Sequence, residues 1–206
     1  MRRVVADTAG IAEAAVFIRE GGVVAIPTDT LYGLAADPFN DEAVARVFEI
    51  KGRPGGRALA LIAADADQIA ARLGRLSPDA QRLAAAFWPG PLTLLLGAPP
   101  ALAAPVAAGT GKVGVRVPAH GAARALCRAC GIPLVATSAN LSDQPATDDP
   151  DVVAATLGTR IDLLLDGGKT PGGPPSTIVD AGGSAPRLVR PGAVEWERVL
   201  ACVQRA

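Results

Sequence analysis

Aromatic residues make up 3% of this 206-residue chain, histidine and methionine occur once each, and 20 basic side chains are balanced by 20 acidic ones. Each scarcity excludes something. With so few aromatics the core must be built mainly from Ala, Val, Leu and Ile, and little is left to stack on nucleobases. A formal charge of zero is a poor footprint for a protein whose main task is to coat nucleic acid, although a local basic groove stays open. The lone histidine, His120, excludes histidine metal clusters and leaves histidine-based triads one candidate. It follows VRVP and reads as a turn or helix-start residue. Three cysteines are an odd count that suits a reducing compartment. Cys127 and Cys130 form a C-x-x-C, but inside the helix-forming stretch AARALCRACG and without a second pair of ligands, so they read as small helix residues one turn apart. No apolar run reaches membrane-spanning length, and MRRVVADTAG lacks the apolar core of a signal peptide. A cytoplasmic protein with no membrane partner is expected.

Linkers, charge blocks, repeats and low-complexity segments are missing too, so a single domain over 1–206 is expected. Periodicity predicts helices over 8–20, 41–50, 65–73, 78–87, 120–130, 149–157 and 194–204. Strands are expected over 22–27, 58–63, 92–97, 113–117, 133–137, 162–165, 176–180 and 186–190. Asp41 is the expected N-cap of its helix and Gly52 the stop; Ser77 caps a helix that Pro78 opens. Helices alternate with strands early and paired strands come late. This predicts an α/β fold, a twisted mixed open sheet with flanking helices, with functional residues in the loops that leave strand ends.

What is present is concentrated in those loops. IPTDTLYGLAADPFN, 26–40, turns at Pro27 from an apolar run into Thr28, Thr30 and Tyr32, hydroxyls at alternating positions that share one face if the segment is extended. Pro27 and Asp29 satisfy a turn; the three hydroxyls are more than a turn needs. Lys51, Lys112 and Lys169, the only lysines, each adjoin a glycine, which suggests phosphate handling unless it is chance in a glycine-rich chain. GTGKVG and GGKT are not P-loops, because Val106 and Leu163 stand where the motif requires glycine. In IKGRPGGRALALIA, Lys51, Arg53 and Arg57 bracket a Pro-Gly-Gly loop without a carboxylate, either a solvated basic turn or an anion grip. Lys51 and Arg53 are both expected to face solvent. Arg116, within VGVRVP, shares a strand face with Gly114 and Pro118. It needs either an internal carboxylate or a ligand anion. PLVATSANLSDQPATD brings Ser138 and Asn140 to a strand end; PPSTIVD and RLVRPG supply Ser176, Thr177 and Arg190.

In this order, PTDTLYGLAADPFN, KGRP, WPGPLTLLL, VGVRVP, TSANLSDQPAT, STIVD and RLVRPG resemble the threonylcarbamoyl-AMP synthase family, proteins built on a YrdC-like domain. The match runs from about Gly22 to Gly192. The resemblance implies a twisted, mostly parallel sheet around a concave, positively charged cavity. It implies a nucleotidyltransferase that joins L-threonine, bicarbonate or CO2, and ATP into threonylcarbamoyl-adenylate and pyrophosphate. That intermediate feeds a tRNA threonylcarbamoyl transferase machinery, with at most a weak contact between this chain and tRNA. Thr30, Tyr32, Arg116 and Ser176 are the implied threonine residues. Lys51, Arg53, Arg57, Ser138, Asn140 and Arg190 are the implied nucleotide contacts, Lys51 and Arg53 being catalytic. Mg2+ is expected to arrive on ATP, and no protein metal site is expected.

The chain departs from the family pattern at Arg57-Ala58-Leu59 and Ile62, where many members have Asn-Pro-Leu and a histidine, and at Ala146, where others carry serine. Its length fits the short form of the family. Rival readings are a hydrogenase-type carbamoyltransferase domain and an RNA-binding module that makes no adenylate.

Overall fold

The computed structural model describes residues 1–52 and 57–204. Among the described residues, eleven strands form two mixed sheets rather than the one expected. The first contains β1 (Arg2–Val5), β2 (Val24–Ile26), β3 (Gly33–Ala35), β8 (Thr137–Ser138) and β9 (Leu163–Asp166), in the order β1-β9-β2-β3-β8. The second contains β4 (Leu61–Ile62), β5 (Leu92–Gly97), β6 (Lys112–Arg116), β7 (Leu134–Val135), β10 (Thr177–Asp180) and β11 (Arg187–Arg190), in the order β11-β10-β5-β6-β4-β7. Parallel pairing joins β1 to β9, β2 to β9, β4 to β6 and β5 to β10; the other pairs are antiparallel, so the sheets are less parallel than the resemblance implied.

The segment expected as one strand over 133–137 serves both sheets. Leu134 and Val135 pair with β4, Thr137 and Ser138 pair with β3, and Ala136 lies between them. Main-chain bonds fix the crossing: Val135 N donates to Ala36 O at 2.9 Å and Ala136 N to Ala60 O at 2.8 Å. A core cluster accordingly mixes Ala25 and Leu34 of the first sheet with Leu61, Val113 and Val115 of the second.

Helices pack outside the sheets, and their ends follow local chemistry. They are α1 (Thr8–Arg19), α2 (Asp41–Lys51), α3 (Ala66–Arg72), α4 (Pro78–Phe87), α5 (Ala104–Ala107), α6 (Gly121–Cys130), α7 (Pro150–Leu157) and α8 (Trp196–Gln204). Asp7, Asp65, Ser77 and Asp149 cap their helices by accepting from main-chain N–H groups two or three residues on. For α2 the cap is Asn40, whose Oδ1 accepts from Glu42 N and Ala43 N, and not the expected Asp41; Asp41 sits in the first turn, where its charge suits the helix dipole. Gly52 closes α2 with φ 63°, a left-handed value that glycine takes without strain. Cys127 is buried and Cys130 half-buried, both free thiols on α6, and burial pushes the Cys130 thiol up to about 11. No described helix is long and apolar enough to cross a membrane.

Candidate active site

β2 and β3 are the arms of a hairpin whose tip is 27–32, so the hydroxyl segment is a tight loop and the condition of an extended segment is not met. Thr28 folds it. Its Oγ1 donates to Leu31 O at 2.7 Å and accepts from Thr30 N at 3.2 Å, a threonine turn that consumes the backbone groups of the tip. Thr28 and Thr30 nonetheless keep their hydroxyls together, 3.2 Å apart, and both line a cavity of about 580 Å³. Tyr32 lines the same cavity, but its hydroxyl is engaged elsewhere, donating to Gly168 O at 2.7 Å and accepting from Gly167 N at 3.1 Å. Tyr32 thereby pins the strap that leaves β9, and Thr30 O holds the strap's next turn by accepting from Thr170 Oγ1 and Gly172 N, both at 2.8 Å.

Tyr32→Phe is therefore expected to act as a stability change. It removes two part-buried hydrogen bonds to the main chain of Gly167 and Gly168, glycines that are themselves exposed, about 0.5–1.5 kcal/mol each. Chemical denaturation would measure it, and a midpoint equal to the parent's would show that the hydroxyl does not hold the strap.

The second sheet supplies the opposite wall. Thr93 on β5, Arg116 at the end of β6, Ser176 before β10, Ile178 on β10 and Arg190 on β11 all reach the cavity. Thr93 Oγ1 and Ser176 Oγ stand 2.8 Å apart, and Arg190 Nη2 donates to Ser176 O at 2.7 Å and contacts Ser176 Oγ at 3.2 Å. Thr93 was not foreseen; its only signal is a hydroxyl in the run LTLLL. Ala58, Ala60, Leu61 and Ile62 form an apolar floor, and Ala146 lies on the rim. Among the described residues, Arg57, Arg116 and Arg190 are the charged ones of this lining, all cationic. Burial lowers the Arg190 pKa, and the like charge of Arg116 lowers it further. An anion seated between the two arginines would relieve that repulsion.

Arg116 has an internal partner, one of the two alternatives its sequence context allowed. Its Nη1 meets Asp29 Oδ1 at 2.5 Å, with the side chains 12% and 9% exposed. Asp29, read in the sequence only as a turn residue, thus fixes the arginine against the cavity wall. The other N–H groups of the guanidinium remain for a ligand.

Lys51 is not in a solvent-facing loop. It ends α2, is 3% exposed, and directs Nζ to Ser138 O at 2.7 Å, Asn140 O at 2.9 Å and Asn140 Oδ1 at 2.9 Å. Ser138 Oγ in turn donates to Asn140 Oδ1 at 2.6 Å, and Asn140 Nδ2 binds Gln144 O. The lysine and the S-x-N pair are one charged node that ties the end of α2 to β8, with Ser138 on the cavity and Asn140 behind it. Helical periodicity explains the burial, since Lys51 lies on the face of Val44, Val47 and Phe48. The other two lysines serve the surface: Lys112 pairs with Asp180 at 2.5 Å and Lys169 with Asp149 at 3.1 Å, and neither lines the cavity. Arg53 lies outside the described residues. Among the described residues no group of three or more His, Cys, Asp or Glu is placed to hold a metal ion.

The family model Sua5_yciO_yrdC, described as "Telomere recombination", matches residues 16–192. The chain is 42% identical over 94% of its length to the threonylcarbamoyl-AMP synthase of Bacillus subtilis, of which it covers 56%. It spans about half the length of that relative. With the threonylcarbamoyl-AMP synthase of Halorhodospira halophila it shares 43% identity over 76% of its length and 82% of the relative's. The crystal structure of Pyrococcus abyssi Sua5 complexed with L-threonine superposes with a TM-score of 0.90 at 37% identity, over 98% of this chain and 59% of that one. Since the matched region runs from the last turns of α1 to the turn after β11 and so takes in both walls of the cavity, the chain belongs to the Sua5/YciO/YrdC family.

Proposed function

We propose that the protein is an L-threonylcarbamoyladenylate synthase, a nucleotidyltransferase that makes threonylcarbamoyl-AMP and pyrophosphate from L-threonine, bicarbonate or CO2, and ATP. The observation that carries this reading is the cavity itself, where three arginines and two hydroxyl pairs converge on a space of about 580 Å³ in a chain whose relatives are named for this product. Arg116 would hold the threonine carboxylate through the edge that Asp29 leaves open. Thr30 and Ser176 would meet the polar atoms of the amino acid, and Tyr32 would wall the site. Arg57, Arg190 and Ser138 would face the nucleotide, with Arg53 completing the phosphate grip and Lys51 and Asn140 holding Ser138 in place.

The chemistry asks for positioning more than for a proton relay. The threonine amine adds to CO2 and loses a proton to give a carbamate. A carbamate oxygen then attacks the α-phosphorus of ATP, the bond to the bridging oxygen breaks, and pyrophosphate leaves with its electron pair. Arginines aimed at the phosphates stabilise the charge that develops there. Mg2+ would enter as part of the substrate, bound to ATP oxygens and water. Residues 1–206 would act as one catalytic unit in the cytoplasm and pass the adenylate to a tRNA threonylcarbamoyl transferase.

Purified protein with Mg·ATP, bicarbonate and L-threonine is expected to release pyrophosphate without tRNA, and to accumulate an adenylate whose mass includes threonine and one carbonyl. Omitting threonine should nearly abolish product. Release that ignores threonine and demands carbamoyl phosphate would assign the hydrogenase-type reaction instead. No release under any condition, with salt-sensitive tRNA binding, would assign the RNA-binding module.

A further inference from the structure

Thr93 is 1% exposed, and among the described residues its hydroxyl has one partner, Ser176 Oγ at 2.8 Å, a contact in which either oxygen could donate. What else each hydroxyl can reach decides which one does. Ser176 Oγ also lies 3.2 Å from Arg190 Nη2, and a guanidinium can only donate. Were Ser176 to give its proton to Thr93, the Thr93 proton would be left at that depth without an acceptor, and buried donors are nearly always satisfied. If Thr93 donates instead, Ser176 accepts from Thr93 and from Arg190, which fills its two lone pairs. The Ser176 proton then remains to be placed, on a half-buried side chain that lines the cavity.

The fold aims Thr93 this way. Thr93 pairs with Ile178 on β10, so Ser176, two residues before Ile178, lies on the same face. On the β6 side, a Cβ at Gly114 would stand 3.0 Å from Thr93 Cγ2. The missing side chain of Gly114 thus seats the threonine methyl, and with the methyl held against β6 the stiff, β-branched side chain turns its hydroxyl toward Ser176.

We propose that Thr93 is a positioning residue that donates to Ser176 Oγ and so fixes Ser176 as a donor to an acceptor oxygen of the ligand. The ligand's amine has no place at Ser176, because no lone pair is left there to receive its N–H. Ser176, Arg116 and Arg190 then all present donors from one wall, which selects an anionic oxygen and finds its own hydroxyl already oriented before the ligand arrives. Naming that oxygen as threonine's rests on the proposed function; the direction of the proton does not.

Neutron diffraction from deuterium-exchanged crystals of the protein reads that direction without any ligand. The expected result is a deuteron on Thr93 Oγ1, on the line to Ser176 Oγ. A deuteron of Ser176 on that line overturns the proposal. The kinetic arm compares two replacements. Thr93→Val keeps the shape without the hydroxyl and should raise the threonine KM about tenfold, with the ATP KM within about twofold of the parent; Thr93→Ser keeps the hydroxyl and should stay within about threefold for threonine. In a Ser176→Ala chain, adding Thr93→Val should change the threonine KM by less than about twofold, since a residue that acts through Ser176 has nothing left to act on. An undiminished effect in that background, or a parent-like threonine KM in Thr93→Val alone, would sink the positioning role. If the protein used no threonine at all, the proposed function would fail, while the deuteron would still decide the direction of the bond.

Discussion

Lys51→Ala is expected to cut ATP turnover severely and to lower the unfolding midpoint together. The ammonium is shared by three oxygens of the Ser138–Asn140 segment, and the side chain is almost wholly buried. Removing it leaves those part-buried oxygens without their cation. A cost of about 2 kcal/mol follows, or roughly 4–8 °C in midpoint for a chain of this size. Activity falls for a linked reason: β8 loses its tether to α2, and Ser138, on the cavity wall, loses its orientation. Positioning losses of this kind reach about a hundredfold in rate. Ser138→Ala deletes one hydroxyl and leaves the lysine with its carbonyls, so it should cost much less stability. Parent-like midpoint and parent-like turnover in Lys51→Ala would remove the node from both fold and function.

The second large effect is expected at Arg116, and two substitutions separate its roles. Arg116→Ala strands the buried Asp29 carboxylate, and breaking such a pair costs about 3–5 kcal/mol. This variant should be poorly folded as well as inactive, and alone it would prove little. Arg116→Lys keeps a charge for Asp29 but loses the planar fork, so it should fold and still bind ATP. Its threonine affinity should drop by about tenfold or more, equivalent to roughly 1.4 kcal/mol. Calorimetric titration with each ligand is the measurement. A defect confined to ATP would move Arg116 from the amino acid to the nucleotide.

The sequence was most legible where structure is local. Ser77 with Pro78, and Asn40 with Gly52, mark helix ends through side-chain and backbone chemistry within one turn. Capping needs no distant partner, so the error at Asp41 is a shift of one residue. β3, three residues long in the middle of the hydroxyl motif, and α5, a single turn, are too short for any period to show. The division into two sheets depends on what β7 and β8 pair with, which no local pattern records. The site follows the same division. Arg116 and Arg190 stand out as charges in apolar strands. The partnership of Lys51 with Ser138 and Asn140 spans 87 and 89 residues, and only the family resemblance brought them into one list. Asp29 looked like a turn former because it is one; its second task appears only when β6 is laid against the hairpin tip.

The crossing at Ala136 has a thermodynamic corollary. Thr28 and Thr30 belong to one sheet's hairpin, while Thr93, Arg116 and Arg190 belong to the other sheet, and one cavity is walled by both. A ligand that touches both walls has no binding site in any state where either sheet is unfolded. Its affinity is then linked to global rather than local unfolding, and saturation at a hundred times Kd adds about 2.7 kcal/mol to the whole molecule. In amide exchange, that increment should reach β1, at the far edge of the first sheet, as fully as it reaches β11, at the far edge of the second.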